Sequence, residues 1–449
     1  MRSIGLVLIS VVLGAASTAR AAEWSAPVTV SAPHTFAQPV TLTQSTQVVT
    51  ATWGWGDGVG LAAPGGFSSA EARFGSGFGA EHRAPAGIVD VASDGPRRAV
   101  AVTQTEVPRG RTERGPLRYA IGAAFSENGR FGALHRLRTA AVASRASIAS
   151  NGGPVIAGWI ETTGKRRIVQ VVTRNPGGAF SRPTTLSGRG QADGVDVAAS
   201  RRGDLAVVFV RNGKVLARVK RAGGRWGAIR ELAKANGPTQ WQLISAIAEN
   251  GRVVVAWRRY TLRRVGVPGT RALESTSLAA GKSAFSAPQV VEADGVVGPS
   301  LLATGAAAFA LVWTDQDGIA SNGPATPRVA LTGTSPRFGA PLSAAPAAGG
   351  LRDTRIASGP LGLYAVWVEP QPDGDGDGLG RGALLPPGAS AFLAPEQVTP
   401  SENVHEVGIA ADVTGGAFVA AWSARPEGTG PGIPLDQIRS FVRAARRTG

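Results

Sequence analysis

Three clusters of arginine carry the residue type best suited to gripping an anion. They are "EVPRGRTERG", with Arg109, Arg111 and Arg114; "GKRR", with Lys165, Arg166 and Arg167; and "WRRYTLRRVG", with Arg258, Arg259, Arg263 and Arg264. A guanidinium offers a planar fork of N–H donors that meets a carboxylate or phosphate two bonds at a time. Further along the chain the sign inverts, with Asp315 and Asp317, then Glu369, Asp373, Asp375 and Asp377. The last three stand in "PDGDGDGLGRG", where Asp373, Asp375, Asp377 and Gly378 match positions 1, 3, 5 and 6 of a calcium loop. Leu384 occupies position 12, where such a loop has its bidentate glutamate. Two readings stay open there: a flexible solvated turn and a weak calcium site. No other cofactor is expected.

Other chemistry finds less support. Tyr260 sits among arginines with Glu274 nearby in sequence, the one nucleophile pair of note; a surface tyrosine in an arginine-rich loop is the plainer account. His34, His82, His135 and His405 have no metal-ligand spacing, and the chain has no cysteine, so a zinc site is not expected. A retaining glycosidase needs two carboxylates about 5 Å apart and an inverting one a wider pair. No such pair is expected to point inward. Phosphate loops and dinucleotide fingerprints are missing.

The elements that hold these clusters come from a repeat. One phrase, "GGAFSRPTTL", returns as "GGRWGAIREL", "KSAFSAPQVV", "SPRFGAPLSA" and "ASAFLAPEQV", and its core appears early as "WSAPVTVS". Its aromatic falls at Trp24, Phe78, Phe131, Phe180, Trp226, Phe285, Phe338 and Phe392. A second phrase is an apolar run anchored at Trp53, Thr103, Trp159, Phe209, Trp257, Trp313, Trp367 and Trp422. The two alternate strictly, at a spacing of about 53 residues, room for four short strands and their turns. No segment keeps a 3.6-residue apolar period, which excludes helical repeats.

The fold expected is therefore all-β: a single β-propeller over residues 22–449. Eight four-stranded blades, closed by pairing of the N- and C-terminal strands, is the simplest count; seven blades is the alternative. Runs such as "VVVAW" are apolar on both faces, as suits a strand sandwiched between neighbouring blades. The proline-bearing strand belongs at the rim, because proline cannot donate to an interior ladder and protects an edge from pairing. Glycines make the turn before it, and the aromatic plugs the space between blades. "WSAPVTVS" begins with an outer strand, and "IRSFVRAARR" near the end resembles a third strand, so the two termini together complete one blade. Blade 2, with Thr103 at the tryptophan position, is the weakest copy.

The turn phrase resembles a degenerate Asp-box, the bacterial neuraminidase repeat of sialidase-like propellers. That motif reads Ser-x-Asp-x-Gly-x-Thr-Trp and occupies the turn between third and fourth strands. "GGRW" and "GGAF" keep its glycine and aromatic, while the bracing Ser and Asp are absent from every copy. The resemblance implies a propeller and leaves a divergent sialidase-like glycan-active enzyme as the alternative function. Sialidases usually have six blades and use three arginines, a tyrosine with a glutamate partner, and an aspartate; no position here matches that set. A compact cluster of Arg with Tyr/Glu and Asp over the channel would favour the enzyme, and scattered charges would favour a scaffold.

Composition bounds the remaining choices. Residues 1–21 read as a secretory signal: Arg2, an apolar stretch from Ile4 to Ala16, and a small-residue cleavage site at Ala19-Arg20-Ala21. The product is expected to be secreted or extracytoplasmic and not membrane-spanning, since the apolar stretch is too short for a bilayer. No disulfide can form, so a large core must hold the fold. The formal charge is +16. Codon bias toward arginine accounts for it, and so does attraction to an anionic surface. Nucleic acid is not an expected partner, for want of stacked aromatic platforms or a reading motif. The function expected is a monomeric binding scaffold. Its loop face would recognise an anionic glycan, an envelope polymer or a protein through Arg109, Arg111, Arg114, Arg166, Arg167, Arg258, Arg259, Arg263 and Arg264, because variable loops on a rigid ring usually carry recognition.

Overall fold

A computed structural model describes residues 24–32, 34–37, 41–44, 47–56, 66–73, 78–107, 118–140, 143–234, 239–261, 270–316, 323–370, 378–400, 403–412, 417–425 and 439–448. The expected signal segment lies outside them. Every regular element among the described residues is a β-strand, and no helix there is long and apolar enough to cross a membrane. The strands form eight four-stranded antiparallel blades, which removes the seven-bladed alternative.

Blade 3 shows the unit, with strands Ala143–Ala149, Val155–Thr163, Arg166–Arg174 and Thr184–Thr185 hydrogen-bonded in chain order. Blade 4 follows with Ala192–Ala199, Leu205–Arg211, Lys214–Lys220 and Arg230–Lys234. Blade 5 comprises Thr239–Ile247, Val253–Thr261, Arg271–Leu278 and Gln289–Glu292. The first strand of each blade lines the central channel and the fourth lies at the rim. The second strand is enclosed on both sides: Val253 to Trp257 are each at most 1% exposed. A continuous apolar run is what such double burial demands.

Each phrase of the repeat has a place in this plan. Gly177 (φ 72°) and Gly223 (φ 69°) turn the chain between third and fourth strands with positive φ, which a side chain disfavours. The aromatics then fill the boundary with the preceding blade. Phe180 packs with Trp159 and stacks on Phe125 of blade 2 at 5.9 Å between centroids, and Trp226, Phe285 and Phe338 do likewise in blades 4, 5 and 6. Pro183, Pro341 and Pro395 immediately precede the short outer strands Thr184–Thr185, Leu342–Ser343 and Glu396–Gln397. At the blade 1–2 boundary, Thr103 replaces tryptophan and pairs with Gly122, and the core there is Ala84, Ala101, Ala124 and Phe131.

Blade 8 is built from both ends of the chain. Strands Asn403–Asp412, Ala417–Arg425 and Arg439–Thr448 receive Val28–Thr29 as the fourth, in the register Val28 to Ala444 and Thr29 to Arg443. Trp24 bridges Arg447, donates its indole N–H to the Tyr364 hydroxyl at 3.3 Å, and meets that ring edge-on. Tyr364 in turn donates to Glu396 at 2.6 Å, and Arg447 binds the same carboxylate oxygen at 2.5 Å. Burial and the Glu396 carboxylate push the Tyr364 phenol well above its usual range. Tyr364 is wholly buried. This tyrosine–glutamate–arginine cluster therefore clasps the blade 7–8 boundary.

Candidate functional site

The described arginines of the basic arc lie at one end of their blades. Arg166 and Arg167 open the third strand of blade 3, directly after the hairpin that pairs Thr163 with Arg166. Arg258 and Arg259 approach the same hairpin end of the second strand in blade 5. Arg109, Arg111, Arg114, Arg263 and Arg264 lie outside the described residues, as do Asp317, Asp373, Asp375 and Asp377. Arg167 forms a 2.7 Å ion pair with Asp193 of blade 4, and Arg259 a 2.6 Å pair with Glu274. Lys165, Arg166 and Arg189 are exposed, and their side chains have no hydrogen-bond or ion-pair partner among the described residues.

Arg189 and its neighbours were not singled out by the sequence clusters. It lies in the connection from blade 3 to blade 4, which runs against the blade 3 hairpin: Gln191 bridges Arg167 and donates its side-chain amide to the Lys165 carbonyl. Blade 4 adds Arg211, which donates to the Ser187 carbonyl, and Lys214, held 2.5 Å from Glu231. Its hairpin is the two-residue turn Asn212-Gly213, both at positive φ. A short turn makes no run of like charges in sequence, yet it carries cations to the same face. The arc thus continues through blades 3, 4 and 5.

Two expectations need correction. Tyr260 does not partner Glu274. Side chains alternate across a strand, so Trp257 and Arg259 share one face and Tyr260 takes the other. Glu274 sits opposite Trp257, accepts its indole N–H at 2.7 Å, and holds Arg259. The tyrosine–glutamate cluster that would favour an enzyme does not form there. The acidic sector is also neutralised where it is described: Asp315 pairs with Arg328 at 3.3 Å and Glu369 with Arg381 at 3.1 Å.

The second correction concerns the channel, where a pair of carboxylates does point inward. Asp90, on the first strand of blade 2 (Ile88–Ser93), accepts from the Ser147 hydroxyl at 3.1 Å and the Ile148 amide at 2.9 Å, both on blade 3. Ser147 also lies 3.3 Å from Asp196 of blade 4, and Asp196 accepts from Ser245 of blade 5 at 2.6 Å. A belt of polar side chains therefore crosses four consecutive first strands. Register shifts between Ile88 and Asp90, Ser144 and Ser147, and Ala192 and Gly194 precede the first three members. Such bulges twist a strand and re-aim its side chains. Desolvation raises Asp90 to about 6 and Asp196 to about 7, and the Asp90 charge adds to the second shift. A cavity of about 500 Å³ adjoins the belt, lined by all eight first strands and reached by Ser245. The signal was present in the repeat: "GIVDVAS" and "GVDVAAS" each place an aspartate between two valines of a first strand.

No family model and no curated protein matches the chain. Several solved structures align with it at low identity. An ulvan lyase, a polysaccharide lyase, aligns with a TM-score of 0.45 at 11% identity over 89% of this chain and 92% of its own. A prolyl endopeptidase aligns at 0.47 and 11% identity over 87% of this chain, which spans 53% of that protein. The NanB sialidase of Streptococcus pneumoniae aligns at 0.41 and 9% identity, covering 92% of this chain and 68% of that one. The Ser and Asp of the Asp-box are absent from this chain's turn phrases.

Proposed function

We propose that the protein is an extracytoplasmic propeller scaffold that binds a polyanion, an anionic glycan or envelope polymer, on the face formed by the second-to-third-strand hairpins and the blade-to-blade connections. The supporting observation is the group Lys165, Arg166 and Arg189: three exposed cations brought together from a hairpin and a neighbouring connection, without side-chain partners among the described residues. Arg167 and Arg259 are already engaged by carboxylates, so they hold the loop geometry rather than grip the ligand. Clustered exposed guanidinium and ammonium groups attract an anionic chain at long range and hold its carboxylates by charge-assisted hydrogen bonds.

Equilibrium binding to polygalacturonate, with neutral dextran as control, tests this reading. Affinity for the polyanion should fall as salt rises, because exposed charges are screened over about 8–10 Å at ordinary ionic strength. Replacing Lys165, Arg166 and Arg189 together by serine should lower it about tenfold, each exposed contact being worth up to about 1 kcal/mol. Binding indifferent to both salt and the triple substitution overturns the proposal.

A further inference from the structure

The protons of the channel belt can be counted from its geometry. Ser147 has one hydroxyl proton yet lies within hydrogen-bond reach of two carboxyls, Asp90 Oδ2 at 3.1 Å and Asp196 Oδ1 at 3.3 Å. Asp90 is already supplied by the Ile148 amide at Oδ2 and the Val91 amide at Oδ1, both 2.9 Å away. Asp196 Oδ2 is supplied by Ser245, and the Val197 amide also donates to this carboxyl. If both carboxyls are ionised, Ser147 can serve only one, and the other oxygen faces it with no proton between them. One added proton on Asp196 Oδ1 satisfies every contact: Asp196 donates to Ser147 Oγ, Ser147 donates to Asp90 Oδ2, and Ser245 donates to Asp196 Oδ2.

We propose that this belt is a proton-dependent latch, closed when Asp196 carries a proton and opened between blades 3 and 4 when it is lost, so that pH sets how tightly the first strands of blades 2 to 5 are fastened. The groups facing the two carboxyls, from every strand packed against them, are Ser147, Ser245, the amides of Ile148, Val91 and Val197, and each other. No cation among the described residues contributes to either shift, so nothing there offsets a second negative charge. The raised values of about 7 for Asp196 and about 6 for Asp90 agree with one shared proton near neutrality. A carboxyl whose folded value lies above its unfolded one contributes stability that is complete below the unfolded value, 3.8 for both, and is lost as pH rises through the folded value. The belt therefore favours the folded ring at mildly acid pH. This inference is independent of what the outer face binds.

Thermal unfolding of the whole chain as a function of pH tests it, together with an infrared titration. In the wild type the midpoint should fall by a few degrees as pH rises from about 4 to about 7, the span between the unfolded value and the folded values, and the protonated-carboxyl absorption band of the folded chain should disappear between about pH 5.5 and 8. Asp196→Asn keeps the donor toward Ser147 and the acceptor for Ser245 without titrating. It should lose the part of that absorption that titrates highest and show a shallower fall of its midpoint, set by Asp90 alone, standing above the wild type at alkaline pH. Ser147→Ala removes a hydroxyl donor from both acids and leaves their desolvation in place, so its protonated-carboxyl absorption should persist to higher pH than in the wild type. A wild-type band absent at every pH, or either variant reproducing the wild-type pH profile, overturns the latch.

Discussion

Glu274 serves two partners at once, and that makes its role measurable. Replacing it by glutamine retains an acceptor for the Trp257 indole and removes only the charge facing Arg259. Replacing it by alanine orphans a buried donor, which should cost about 1–3 kcal/mol in denaturant unfolding. Glu274→Gln should fall well short of that, and Tyr260→Phe should change nothing, since Tyr260 occupies the opposite face. A larger loss from Tyr260→Phe than from Glu274→Ala would contradict the strand alternation. The calcium proposal also belongs to this scale. If Asp373, Asp375 and Asp377 hold the ion, millimolar calcium should raise the melting temperature by mass action, and the triple asparagine variant should abolish the shift. Calorimetry without heat of binding leaves the flexible turn.

At the scale of one blade, two glycines separate backbone strain from crowding. Gly177 turns the chain before the outer strand of blade 3 with φ 72°, and a Cβ there would meet open space. Gly177→Ala should cost only the left-handed backbone, about 1 kcal/mol. Gly362 has φ 121°, and a Cβ there would be driven into the Leu385 carbonyl of the adjacent strand. Gly362→Ala should therefore cost at least twice as much and speed unfolding of the blade 7 hairpin. Equal losses at the two sites, read by equilibrium unfolding, would show that the second-to-third-strand pairing of blade 7 is looser than its register indicates. The blade tolerates the first change because its turns lie in solvent, and resists the second because its strands are in contact.

For the ring as a whole, the decisive feature is closure through blade 8. Removing residues 438–449 takes away the strand that pairs with Val28–Thr29 and leaves the first outer strand without a partner. Contacts between blades are nearest-neighbour, but a closed ring couples them all. The shortened chain should melt earlier and associate, seen by scanning calorimetry and light scattering, because an unpaired edge recruits other chains. Trp24→Ala is the milder test. It removes the contact with Tyr364 while leaving the strand, and should cost about 2–3 kcal/mol, below the range for a fully buried aromatic. Unchanged unfolding in both variants would show that the terminal strands do not close the ring.

The repeat is a local property, and local sequence was enough to recover it. An apolar run flanked by turns, with glycine, aromatic and proline in fixed order, determines a strand's type and its distance from the axis whatever the neighbouring blades contain. The copies call for a ring, and the structure sets it at eight blades, with Val28–Thr29 pairing Arg439–Thr448 in blade 8. Which charges meet is a different matter. Arg167 reaches Asp193 and Gln191 reaches Lys165 only because one blade leans against the next, and Tyr260 parts from Glu274 because strand pairing sets the facing partner. Asp90 and Asp196 are more than a hundred residues apart and become neighbours through the strand between them. Their shared proton depends on burial in the channel, which exists only once the ring has closed.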